Sequence, residues 1–203
     1  MTVFSLEGVT PVVDPEAYVH PSAVLIGDVI VGAGCYVGPG ASLRGDFGRI
    51  VMRAGSNLQD NCVVHGTPEY DTVLDEDAHV GHGAVIHCAQ IGRDVLIGMN
   101  AVVMDRAVIG ECAIVGAMSF VKVGQQIPPA TLAIGAPARV VRELSEADIA
   151  WKRSGTAMYQ ELARRCLAGL VPTAPLARIE PDRGRVHWDL DAYLDGSDGA
   201  AAR

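Results

Sequence analysis

The chain predicts an all-β solenoid followed by one α-helix, and three observations carry that prediction. Val19, Leu25, Val31, Val37 and Leu43 stand six residues apart, as do Ile91, Ile97, Val103, Ile109, Val115 and Val121. Gly92, Gly98, Gly110 and Gly116 directly follow members of the second series. The composition is 49% hydrophobic yet only 5% aromatic, which suits a narrow interior filled by small branched side chains. An aliphatic residue with a small neighbour every six positions makes one short strand and one turn, so three such hexapeptide repeats complete a triangular coil. The expected fold is a left-handed parallel β-helix, a triangular prism over residues 10–140, with a C-terminal α-helix.

Between the two long series lie shorter in-phase pieces: Met52, Leu58 and Val64, then Leu74, Val80 and Ile86. Loops leave a solenoid where its period breaks. The first break, between Leu43 and Met52, carries Arg44-Gly45-Asp46. The second, between Val64 and Leu74, carries His65 to Asp71. The third is a one-residue deletion after His87, between Ile86 and Ile91. All three neighbour a polar cluster, as expected of a site grafted onto a regular scaffold. After Val121 the pattern decays, and Ala136-Pro137-Ala138-Arg139 leads out of the coil. Ser145 with Asp148 three residues on resembles a capping box. Leu144, Ile149, Trp151, Leu162 and Cys166 suit an apolar stripe on one helix over 144–168, packed outside the prism. Residues 171–203, rich in Pro, Asp, Gly and Ala, predict an extended, then disordered tail.

A formal charge of −8 argues against nucleic acid or an anionic membrane as partner, since both need basic patches. No apolar run approaches the ~20 residues that span a bilayer. Met1 to Gly8 has neither a basic start nor an apolar core, so a cytoplasmic protein without a signal peptide is expected. The five cysteines lack CxxC spacing and read as buried free thiols.

His65, His82 and His87, at spacings of 17 and 5, are the cluster with the chemistry to hold a metal. Catalytic zinc takes three protein ligands and leaves a position for water. A spacing of 17, nearly one coil of 18, predicts His65 and His82 on neighbouring rungs of roughly the same face. His82 and His87 stand about one corner apart, so they should point to different sides. One ion then needs His65 and His87 from one chain and His82 from its neighbour, which a symmetric trimer repeats three times. A lone histidine on a strand is usually structural; His20, His79 and His187 are read as surface residues. With Leu58 pointing inward, Gln59 should point outward towards the metal side. Arg44 is placed to pair with Asp46 or Asp60.

Arg44-Gly45-Asp46, Asn57-x-Gln59-Asp60, His65, Gly81-His82-Gly83 and His87 resemble the motif set of γ-class carbonic anhydrases. Gly98 to Asp105, Ala117 to Lys122, Trp151-Lys152-Arg153, Tyr159-Gln160 and Arg165-Cys166 resemble a narrower branch of phenylacetate-degradation and carnitine-operon proteins. The resemblance implies zinc, with iron or cobalt also suited to imidazole, on His65, His82 and His87. It implies Gln59 orienting a metal-bound hydroxide and Arg44 paired with Asp60 across the interface. Asp46 and Asn57 would support them, and Tyr159, Glu69 and Asn100 would line the pocket, with Glu69 the substitute for the family's acidic proton-shuttling loop. Phe47 replaces an acidic residue, a short loop replaces the acidic proton-shuttling one, and Gly155 stands where some relatives carry Asn.

The activity implied is reversible hydration of carbon dioxide by a homotrimer, a lyase reaction on a small molecule. The same nucleophile suits hydrolysis of an acyl-CoA thioester. A hexapeptide acyltransferase, using acyl-CoA and one histidine as base without a metal trio, is the alternative from another class. A non-catalytic trimeric scaffold is the last.

Overall fold

The structure, a computed structural model, describes residues 1–188 and is a left-handed β-helix of about seven turns with one helix. Its first face stacks Val63–His65, Val85–His87, Val102–Val103 and Phe120–Val121. The second stacks Thr72–Leu74, Gln90–Ile91, Val108–Ile109 and Gln126–Ile127. Val24–Val31 and Ser42–Met52 run round the corner joining these faces, so the two ladders form one sheet. The third face stacks Tyr18–Val19, Tyr36–Val37, Asn57–Leu58, His79–Val80, Leu96–Ile97, Ile114–Val115 and Thr131–Ile134. Arg139–Glu143 then closes that face in antiparallel pairing.

The hexad residues form the interior. Leu25, Leu43, Val64, Ile86, Val103 and Val121 lie in one column, and all are fully buried. Each such side chain contributes roughly 1.5–3 kcal/mol by leaving water. Small residues occupy the corners, where columns from two faces converge: Ala23, Ala41, Cys62, Ala84 and Ala101 are all buried. The turns demand left-handed backbone. Gly83 has φ +70°, and a Cβ there would fall 2.2 Å from Asn100 Oδ1.

The breaks in period change coil length. Leu43 pairs with Val64 and Val64 with Ile86, coils of 21 and 22 residues, whereas Ile86 pairs with Val103, a coil of 17. The extra residues form an excursion around Asp46 and a tight turn bridged between Thr67 and Tyr70. Gly45 is required in the excursion, because a Cβ would stand 2.4 Å from the carbonyl oxygen of Asp28. The ladder also starts earlier than residue 10: Thr2–Phe4 pairs in parallel with Val24–Val31. A turn bridged between Leu6 and Val9 puts this strand out of hexad phase.

Helix α1, Glu146–Gly169, starts at a capping box in which Ser145 Oγ accepts from the Asp148 backbone N–H and Asp148 accepts from that of Ser145. It lies across the strands Tyr18–Val19, Tyr36–Val37 and Asn57–Leu58 of the third face. Its buried stripe matches the expected apolar one in part: Leu162 and Cys166 pack with Ala163 against Tyr18 and Tyr36. Lys152, Thr156 and Ala163 face the prism, whereas Trp151 is 66% exposed. The reason is electrostatic. Lys152, 3% exposed, donates to the Asp77 carbonyl at 2.9 Å and pairs with buried Asp94, which also receives Arg153 at 2.5 Å. Residues 171–188 follow without helix or strand, and the remainder of the expected tail, 189–203, lies outside the described residues.

Candidate functional site

The lengthened coils decide where the histidines go. With 22 residues in the coil, His65 pairs in register with His87 on the first face, which corrects the expectation that His65 and His82 share a face. His65 Nδ1 lies 3.2 Å from His87 Nε2, with ring centroids 5.2 Å apart. His82 instead occupies the corner between the third and first faces. The predicted residues therefore divide into two groups on one chain.

The first group surrounds His65 and His87. His65 Nε2 lies 2.9 Å from Asp46 Oδ1, and Asp46 Oδ2 accepts from Arg44 at 2.7 Å. Within its own chain, Arg44 pairs with Asp46. Asp105 Oδ1 approaches His87 Nδ1 to 3.0 Å, out of line for a hydrogen bond, so this buried nitrogen has no hydrogen-bond partner. Phe47, 68% exposed, lies 5.4 Å from the His65 ring. Glu69 sits exposed in the turn beyond His65, its carboxylate making no hydrogen bond or ion pair among the described residues.

The second group gathers under α1 and at the corner beside it. His82 Nδ1 lies 2.5 Å from Asp60 Oδ2, and its Nε2 lies 3.4 Å from the Tyr159 hydroxyl. Burial holds that phenol up at about 12, so it stays protonated. Asn100, left-handed at φ +55°, donates its backbone N–H to the His82 carbonyl on the next rung. Gln59 does point out of the prism, but α1 covers that face and leaves the residue 2% exposed. Its Nε2 donates to Asn57 Oδ1 at 3.1 Å and lies 2.7 Å from His79 Nε2. Asn57 Nδ2 is buried without a partner.

Two participants escape the sequence reading. His79 is not a surface residue: the helix half-buries it against Thr156 and Tyr159, and burial together with the Lys152 charge lowers its pKa to about 3. Nothing in the hexads announced this, because covering by α1 is a long-range contact. Asp105 was legible in principle, since it stands 18 residues after His87, within one residue of a full coil.

A parallel β-helix carrying one polar cluster is common to proteins of different activity, so relatedness bears on the chain separately. Residues 88–122 match the bacterial transferase hexapeptide (six repeats) family. The carnitine operon protein CaiE of Proteus sp. (strain LE138) is 56% identical over 97% of this chain and 100% of its own length. The chain belongs to the CaiE family. Two crystal structures share the CaiE-family fold: a Bacillus cereus protein provisionally described as an acetyltransferase, and a hexapeptide transferase family protein from Anaplasma phagocytophilum. The first has a TM-score of 0.80 and 33% identity over 82% of this chain and 97% of its own. The second has 0.77 and 34% over 80% and 96%. Among the described residues of this CaiE-family chain, no single-chain group of three or more His, Cys, Asp or Glu could hold a metal ion, and no helix is long and apolar enough to cross a membrane.

Proposed function

We propose that this CaiE-family chain is a zinc-dependent enzyme of the γ-class carbonic anhydrase kind, acting as a homotrimer on carbon dioxide and bicarbonate. The observation that carries the reading is the His65–His87 pair. With Asp46 accepting from Nε2–H, the lone pair of His65 sits on Nδ1, and it faces His87 Nε2 at 3.2 Å. Asp105 favours the proton of His87 on Nδ1, leaving a second lone pair on Nε2. Two facing lone pairs repel unless a cation lies between them. The separation suits one: tetrahedral ligands at the ~2.1 Å of zinc–imidazole bonds stand about 3.4 Å apart. His82 of a neighbouring protomer would complete the set through Nε2, with Asp60 standing beside its Nδ1. Such carboxylate–histidine pairs fix tautomer and ring direction.

Both groups are flanked by uncovered apolar surface, which supports their meeting at a subunit boundary. Phe47 lies beside His65, and outward-facing Val63, Val85, Val102 and Phe120 stack along the same face. Met99 stands on the rung next to His82, with Met118 beyond it, and both are exposed. When bound, zinc supplies a Lewis acid and lowers the pKa of its water to ~7. The chain's own residues do the rest. Asp46 accepts the Nε2–H of His65, Asp60 and Asp105 stand beside the Nδ1 atoms of His82 and His87, Gln59 presents an amide, and protonated Tyr159 offers a hydroxyl beside His82.

The names of the two crystal structures favour a second reading, acyl transfer from an acyl-CoA with a histidine as base. Acyl-CoA thioester hydrolysis belongs to the zinc reading, since it needs the same nucleophile. Elemental analysis with native mass, followed by carbon dioxide hydration, thioesterase and acetyltransferase assays, separates them. A trimer with about one zinc per chain that hydrates carbon dioxide is expected. A metal-free protein that transfers acetyl groups would overturn the zinc reading.

A further inference from the structure

The polar track under α1 has a direction, and that direction assigns a role to His79. Gln59 Nε2 touches two groups: Asn57 Oδ1 at 3.1 Å and His79 Nε2 at 2.7 Å. An amide nitrogen has two N–H bonds and no usable lone pair, so both are donated. His79 Nε2 then carries the lone pair, and the ring proton sits on Nδ1, which faces Thr156 Oγ1 at 3.4 Å. Thr156 can accept it because its own hydroxyl donates to the Lys152 carbonyl one helical turn back. The opposite polarity, with Gln59 accepting at Oε1, needs a proton on His79 Nε2 and takes the Thr156 hydroxyl away from Lys152.

The surroundings hold the ring in place. The Tyr159 ring meets it edge-on at 5.2 Å, and a Cβ on Gly155 would stand 3.8 Å from its Cε1. The Lys152 ammonium and burial disfavour a second proton.

We propose that His79 is a positioning residue: together with Asn57 it takes both N–H bonds of Gln59, leaving the Gln59 carbonyl oxygen as that side chain's free group beside the Asp60–His82 pair. This deepens the function proposed above and rests on it for its consequence. A free carbonyl accepts a hydrogen bond from a hydroxyl-bearing nucleophile, whereas a free NH2 would bind a carbonyl or carboxylate oxygen instead.

The direct test needs neither metal nor turnover. Long-range 1H–15N spectra of the full-length, metal-free protein, assigned by His79→Gln, should show His79 protonated at Nδ1 with a bare Nε2. A proton on Nε2 overturns the proposal. In the zinc-loaded protein, His79→Ala should lower kcat about tenfold with KM, zinc content and native mass unchanged, and His79→Gln, which restores an acceptor, should recover most of it. In a Gln59→Ala background His79→Ala should cost nothing further; a full independent loss there also overturns the role. A wild-type protein without zinc-dependent turnover would sink the proposed function, while the imidazole spectrum would still decide His79.

Discussion

Asp105 sets Oδ1 3.0 Å from His87 Nδ1 from one coil above it, so each of the three candidate ligands has a carboxylate against one ring nitrogen. The contact is angled rather than bonded. Asp105→Asn should therefore weaken zinc binding about 10–100-fold, measured by chelator competition, with little change in thermal stability of the metal-free protein. Unaltered affinity would remove Asp105 from the site.

His65 and His87 lie together on one face and His82 at a corner, so a shared ion needs two chains. His65→Ala and His82→Ala proteins should each fail to retain zinc. Co-expressed, they form some interfaces where one chain supplies intact His82 and the other intact His65 and His87. Such mixed assemblies should regain part of the metal, read by elemental analysis after tag selection for both chains. A mixture as metal-poor as either parent, or His82→Ala with full zinc, counts against the cross-subunit arrangement.

The prism was legible because its causes are local: an aliphatic residue every six positions buries Leu43, Val64 and Ile86 whatever else the chain does. Position within coils was less so. The loop after His65 adds residues that no period counts, and these bring His65 beside His87 rather than His82. The helix face was legible at Leu162 and Cys166, which pack against Tyr18 and Tyr36, and not in its first half, where Lys152 on Asp94 and Thr156 against His79 do the docking. His79 looked like a surface residue because the sequence does not say which face of the prism α1 covers.

Asp94 holds both Lys152 and Arg153 against the prism, and its carboxyl pKa is lowered by those two cations despite burial, which acts the other way. Burial pushes the Lys152 ammonium down from its usual value. Asp94→Asn strands that ammonium under the helix, which should cost about 3–5 kcal/mol. Chemical denaturation measures this, and amide exchange should report α1 opening first. Adding Lys152→Met to Asp94→Asn should recover much of the loss, since no buried charge is then left uncompensated, and Asn keeps the left-handed backbone of Asp94.

Acid should find the same interface. His79 titrates at about 3 in the folded chain against the usual 6.5, first because of burial, then because Lys152 on the helix and His82 at the corner repel its proton. Above about pH 6.5 it is neutral folded or unfolded and contributes no pH dependence. Between 6.5 and 3 the unfolded chain binds a proton that the folded chain refuses, so stability falls as pH falls. Thermal melts of the metal-free protein across this window should lose stability more steeply for wild type than for His79→Gln, which has nothing to protonate there. Equal slopes would mean that His79 charges freely, and then it could not lie under α1 as the structure places it.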